Sequence, residues 1–129
     1  MKKVYLIDDD DIYVFLTKKT ILRVMEEVDV EVFSDGLKAI THLKKIQNQP
    51  ELLPDVIFLD LNMPVMDGWE FLEEYEELAP SFARTNELYI VSSSISPHEM
   101  ERSKSINSVS EFIIKPLVKE KFLEILKKL

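Results

Sequence analysis

The sequence predicts an α/β domain built on a parallel sheet. Five short apolar runs alternate with five longer segments of helical period. Several of those runs are continuous rather than alternating, as strands covered on both faces are. The chain has 129 residues, 46% of them hydrophobic and 31% charged. That is enough for one such domain and its core.

The elements follow in order. Val4–Ile7 is the first strand. Ile12, Phe15, Leu16, Leu22 and Met25 mark the first helix. Val30–Phe33 is the second strand, and Ala39, Ile40, Leu43 and Ile46 mark the second helix. Gln47–Pro54 reads as a polar loop closed by prolines. Val56–Leu59 is the third strand. Asp67-Gly68-Trp69-Glu70 opens the third helix, with Phe71, Leu72, Tyr75 and Leu78 on one side. Leu88–Val91 is the fourth strand. Ser96-Pro97-His98-Glu99 reads as a capping box with Pro at the first helical position. Phe112–Ile114 is the fifth strand. Val118, Phe122, Ile125, Leu126 and Leu129 give the last helix its apolar stripe, with Lys119, Glu120, Lys121, Lys127 and Lys128 outside. Right-handed crossovers join the strands.

Composition excludes several functions. There are 24 acids against 16 bases, a net charge of −8. Nucleic-acid binding draws its affinity from Lys and Arg on phosphates, and anionic membranes attract the same residues, so neither partner is expected. Cysteine is absent, which removes thiol catalysis and disulfides. The apolar run near the N-terminus is too short for a signal peptide and no stretch approaches a membrane span, so a cytoplasmic protein is expected. Only Gly36 and Gly68 occur, too few for a glycine-rich phosphate loop.

Ligands of open α/β sheets bind beyond the carboxyl ends of the strands. Asp8 through Asp11 follow the first run, Asp60 the third, Ser92 through Ser94 the fourth and Lys115 the fifth. Two carboxylates about 4 Å apart repel by on the order of 4 kcal/mol at an effective dielectric near 20. A divalent cation relieves that repulsion, and hard oxygen ligands favour Mg²⁺. Lysine suits a phosphate as a point charge. A carboxylate can be the nucleophile that forms an acyl phosphate. The set points to phosphoryl transfer onto an aspartate.

These residues resemble the response-regulator receiver domain of two-component signalling, in its single-domain, chemotaxis-regulator-like form. Asp8-Asp9 resembles the family's acidic pair. Ile57 through Gly68 resembles its phosphorylation segment, Ile90-Val91-Ser92-Ser93 its fourth strand, and Phe112-Ile113-Ile114-Lys115-Pro116 the end of its fifth. Asp35-Gly36 falls where the family often has an acid–glycine pair. The resemblance implies a flavodoxin-like (βα)5 fold with strand order 2-1-3-4-5 over residues 1–129, with no output domain. It implies phosphorylation at Asp60, and Mg²⁺ held by Asp8, Asp9, Asp60 and the Asn62 backbone carbonyl. Ser92, Ser93 and Lys115 would contact the phosphoryl group. Phe112 would change rotamer with Ser92, and the Lys115–Pro116 bond would be cis. The implied donor is a sensor histidine kinase or histidine phosphotransfer protein. The implied readout is a downstream protein bound through the helix 4–strand 5–helix 5 face, by a monomer or weak homodimer that is a phosphoacceptor and not an enzyme.

Departures from the family pattern are Ser92 for the usual threonine, Phe112 where tyrosine also occurs, and Asn107-Ser108-Val109-Ser110 before the fifth strand. Asp10 and Asp11 read as helix-start acids, Trp69 as packing, and His42 and His98 as surface residues. Glu70, Glu73, Glu74, Glu76 and Glu77 give the third helix a solvated acidic face, with a partner surface as the alternative reading. Two rivals stand. An aspartate-nucleophile phosphohydrolase would use Asp8 as nucleophile and Asp10 as general acid. A receiver-like interaction module would take no phosphate.

Overall fold

The computed structural model describes residues 1–129. Its strands are β1 (Lys2–Ile7), β2 (Val28–Phe33), β3 (Val56–Leu59), β4 (Glu87–Ser92) and β5 (Val109–Ile114). Its helices are α1 (Asp11–Val24), α2 (Gly36–Ile46), α3 (Gly68–Leu78), α4 (Pro97–Lys104) and α5 (Lys119–Lys127), with a 3-10 turn at Ala79–Ser81. All strand pairs are parallel, in the order β2-β1-β3-β4-β5. This is the flavodoxin-like order.

Alternate strand residues feed two cores. Tyr5, Ile7, Ile57, Leu59, Leu88 and Ile90 point to the side covered by α2 and α3. Val4, Leu6, Val56, Phe58, Tyr89 and Val91 point to the side covered by α1 and α5. β3 is buried at every position, which is why it reads as a continuous apolar run. The edge strands β2 and β5 start earlier than the apolar runs suggest. Their first residues include Asp29, Ser110 and Glu111, which an edge can keep wet.

Helix starts are fixed by side chains. Asp10 caps α1, accepting from the Ile12 and Tyr13 amides at 3.1 and 3.0 Å. Asp35 caps α2 through the Lys38 amide at 2.8 Å. Asp67 and Glu70 form a reciprocal capping box at α3. The box expected at Ser96 and Glu99 does not form. A capping-box Glu99 would need the Ser96 amide, and that amide already donates to Ser94 Oγ at 3.2 Å.

The apolar residues of α1 fall on two sides of the helix. Val14, Thr17 and Ile21 face the core. Ile12, Phe15, Leu16 and Leu22 are exposed, at 74%, 57%, 56% and 46%. Both sets obey helical spacing, and Thr17 hid the buried one. His42 is half-buried rather than free on the surface, with Nε2 3.6 Å from Glu31 and its ring against Phe33.

Arg84 ties down the Gln47–Pro54 loop. Its Nε donates to the Pro50 carbonyl at 2.7 Å, one terminal nitrogen to Asp55 at 3.0 Å and the other to the Leu53 carbonyl. Leu53 is thereby held in the core.

The loop after β3 holds a strained residue. Val65 has φ of 67°. The Met66 amide donates to the Pro64 carbonyl at 2.7 Å, closing a γ-turn around it. The turn aims the Met66 carbonyl at the Gly36 amide, 3.0 Å away. A β-branched side chain held at positive φ costs on the order of 1–3 kcal/mol, and Asn tolerates positive φ better. Val65 is exposed, so little packing is lost on replacement. Val65→Asn should raise stability by about 1 kcal/mol in chemical denaturation. A lower midpoint would show that the valine contributes packing here.

Candidate functional site

Main-chain pairing brings the acids together. The Asp8 amide donates to the Phe33 carbonyl at 2.9 Å, and the Asp60 amide to Ile7 at 2.9 Å. Asp8 and Asp9 thus leave β1 beside Asp60 leaving β3. One carboxylate oxygen from each of Asp8, Asp9 and Asp60 lies within 4.8 Å of the others. Asp8 and Asp60 are buried, and Asp9 is open to solvent.

Lys115 supplies the one cation. It follows β5, and its amide donates to the Ser92 carbonyl at 2.8 Å. Its side chain crosses the end of β4 to reach the acids. Nζ lies 2.8 Å from Asp8 Oδ2 and 3.6 Å from Asp60 Oδ1. It also sits 4.1 Å from the centre of the Tyr13 ring, a cation–π contact. Tyr13 is the residue that sequence reasoning missed. The signal was its place in the first turn of α1, just after the acids.

The electrostatics are unbalanced. Burial pushes the Asp60 carboxyl up to about 6, and the Asp8 charge adds to it, with a further push from Asp9. Lys115 and the Asn62 backbone amide pull the other way without cancelling the shift. Burial draws Lys115 down, but its bond to Asp8 and the charges of Asp8 and Asp60 leave it raised overall. Lys115 thus pairs with Asp8 and Asp60 and leaves Asp9 without a cation within 4.0 Å, and hard oxygen donors at this spacing suit a divalent cation.

The other predicted residues surround this centre. Ser92 is fully buried at the end of β4, and its Oγ accepts from the Ser94 amide at 3.1 Å. Ser93 is exposed beside it, and Asn62 is exposed two residues beyond Asp60. Phe112 is half-buried and lines a groove between α4 and β5. The Lys115–Pro116 bond is cis. Asp10 stands apart from the acid cluster, its carboxylate engaged at the start of α1.

A doubly wound fold with an acid triad and a lysine at the strand ends suits the transfer of a phosphoryl group onto a carboxylate. The comparisons with known proteins agree. The family model described as the response regulator receiver domain matches residues 4–127. The chain is 27% identical over 128 residues to chemotaxis protein CheY of Listeria monocytogenes, covering 99% of this chain and 98% of that one. It is 28% identical over 127 residues to chemotaxis protein CheY of Thermotoga maritima, covering 98% and 96%. A two component response regulator from Cytophaga hutchinsonii superposes with a TM-score of 0.87 at 26% identity, covering 99% of this chain and 96% of that one. The chain belongs to the response regulator receiver family, and its function is that of a phosphoacceptor response regulator.

Proposed function

We propose that Asp60 is the acceptor, taking a phosphoryl group from a phosphohistidine on a sensor histidine kinase or histidine phosphotransfer protein. An Asp60 oxygen attacks phosphorus, the phosphorus–nitrogen bond breaks, and the imidazole leaves. Lys115, shared between Asp8 and Asp60 at 2.8 and 3.6 Å, is the observation that supports this most. Asp8, Asp9, Asp60 and the Asn62 carbonyl would hold Mg²⁺, which supplies positive charge against the phosphoryl oxygens. After transfer the Ser92 hydroxyl donates to a phosphoryl oxygen, with Ser93 and Lys115 completing the pocket. To do so, Ser92 gives up nothing it now donates, since its Oγ is an acceptor from Ser94. On this reading the chain is a phosphoacceptor in the cytoplasm and not an enzyme. It works as a monomer or weak homodimer without nucleic-acid or membrane partners.

The output is the α4–β5–α5 face. The added charge of about −1.5 to −2 biases the loop carrying Ser92, Ser94 and Ser96. Phe112 moves with it. The α4–β5 groove it lines, about 340 Å³, would change shape for a downstream protein.

Incubation with a small acyl-phosphate donor and Mg²⁺, followed by intact mass, tests the acceptor. One phosphoryl group should be gained, and Asp60→Asn should abolish it. Labelling that survives Asp60→Asn but not Asp8→Asn would favour the phosphohydrolase. No labelling with any donor would favour the inert module.

The exposed face of α1 fits the phosphodonor. Ile12 and Leu16 lie within two turns of Asp9, and nothing in the chain covers them. Replacing Ile12 and Leu16 together with Asp should slow transfer from a histidine phosphotransfer domain by about tenfold or more. Transfer from the small acyl phosphate should be unchanged. Equal loss with both donors would place the effect in the site and not at a docking face.

A further inference from the structure

We propose that the cleft between α3 and α4 is a docking site for a basic, amphipathic protein segment. The cleft is about 430 Å³. Its floor is apolar: Trp69 and Leu72 from α3, and Ile106 just after α4. Its α3 wall carries Glu73, Glu76 and Glu77. None of these three has a cation within 4.0 Å, whereas Glu74 on the same helix pairs with Lys44 at 3.1 Å. Glu76 and Glu77 also sit in the last turn of α3, which holds no basic residue. Acids there oppose the helix dipole, so a cation brought to this wall gains from both the carboxylates and the helix end.

The cleft already shows how it would receive such a group. Arg102 lies with its guanidinium 4.2 Å from the centre of the Trp69 indole. It forms this stack in preference to an ion pair within 4.0 Å. The indole face therefore accepts a guanidinium, and an incoming arginine could take the same place while its apolar neighbours meet Leu72 and Ile106. A second copy of the chain fits less well, because a net charge of −8 opposes self-association at an acidic wall. The cleft is separate from the α4–β5 groove, sharing no lining residue with it. The inference rests on the cleft itself and holds whether or not Asp60 is the acceptor.

Trp69 is the single tryptophan, so its emission reports on the cleft directly. The probe is a short helical peptide of leucine and arginine. A saturable emission change is expected at low salt, absent with the same peptide carrying glutamate for arginine. The triple variant Glu73→Gln, Glu76→Gln, Glu77→Gln should weaken binding by about tenfold. A triple of equal charge loss elsewhere, Glu26→Gln, Glu27→Gln, Glu51→Gln, should leave it within about twofold. Calorimetric titration of Arg102→Ala, which frees the indole face, should show several-fold tighter binding. The proposal falls if the emission does not change, if both triples weaken binding equally, or if Arg102→Ala weakens it.

Discussion

Asp60→Asn should melt at a higher temperature than the parent chain at pH 7 in the presence of a chelator. The site crowds three carboxylates together, and its one lysine pairs with the two buried ones, Asp8 and Asp60. Asp60 is the member pushed up to about 6, first by burial and then by Asp8. A carboxyl raised in the fold binds its proton more tightly folded than unfolded. Its contribution to stability is therefore greatest at low pH and is lost as pH rises from about 4 to about 6. At pH 7 the parent carries the full penalty of an ionised Asp60, and the amide removes it. The gain should be about 1–2 kcal/mol, or roughly 3–8 °C in melting temperature for a domain of this size. The variant's stability should also vary less with pH between about 4 and 6. Mg²⁺ should reverse the comparison. A ligand at about a hundred times its dissociation constant stabilises by about 2.7 kcal/mol, and the parent keeps all three acids proposed to hold the ion. Calorimetric melts of both chains, with chelator and with Mg²⁺, give the four numbers needed. A variant less stable than the parent in chelator would mean that Lys115 already compensates Asp60 fully.

Much of this site was legible because it lies in the part of the fold that sequence describes best. The acids and Lys115 each follow an apolar run, and parallel strands bring such ends to one edge whatever the helices do. Tyr13 was not legible, because it joins the site through its ring face under Lys115, and aromatic residues in a first turn usually read as packing. The inner side of α1 was not legible for a different reason. Hydrophobic periodicity finds an apolar stripe but cannot say whether the chain or a partner covers it. Ile12, Phe15, Leu16 and Leu22 outweighed Val14, Thr17 and Ile21 in apolar content, yet the latter are buried. The Ser96 box failed on competition for one amide, which depends on where the Ser94 hydroxyl points. The strain at Val65 has no signature in the sequence, since valine is the last residue a γ-turn would suggest.

Gly68→Ala should damage both stability and phosphoryl uptake, whereas Gly36→Ala should affect chiefly stability, and less of it. Neither glycine has positive φ, so the issue is space. At Gly68 a Cβ would lie 2.6 Å from the Asp60 carbonyl oxygen and 2.7 Å from Leu61 Cα. Both are backbone atoms of a buried segment, so no side-chain rotation relieves the clash. The Gly68 amide also donates to the Leu61 carbonyl at 2.9 Å, pinning the start of α3 to the residue after Asp60. An added methyl must therefore push either α3 or Asp60 itself. The cost should be about 2–3 kcal/mol, near the upper end for overpacking. A displaced Asp60 should also slow uptake from a small acyl phosphate, because reaction falls steeply when the attacking atom is misplaced. At Gly36 the nearest atoms are the Met66 carbonyl oxygen at 2.8 Å, the flexible Met66 side chain at 3.0 Å and Cβ of the buried Phe71 at 3.2 Å. Met66 belongs to the loop after β3 and is only half-buried, so its backbone has more room to shift than the buried Asp60–Leu61 segment at Gly68. The cost there should be about 1 kcal/mol, with uptake close to that of the parent. Urea denaturation and time-resolved intact mass on the two variants separate the effects. If Gly68→Ala took up phosphate at the parent rate, the contact between α3 and Asp60 would be a matter of packing alone. Asp60, the proposed acceptor, would then owe its position to β3 and its bond to Ile7.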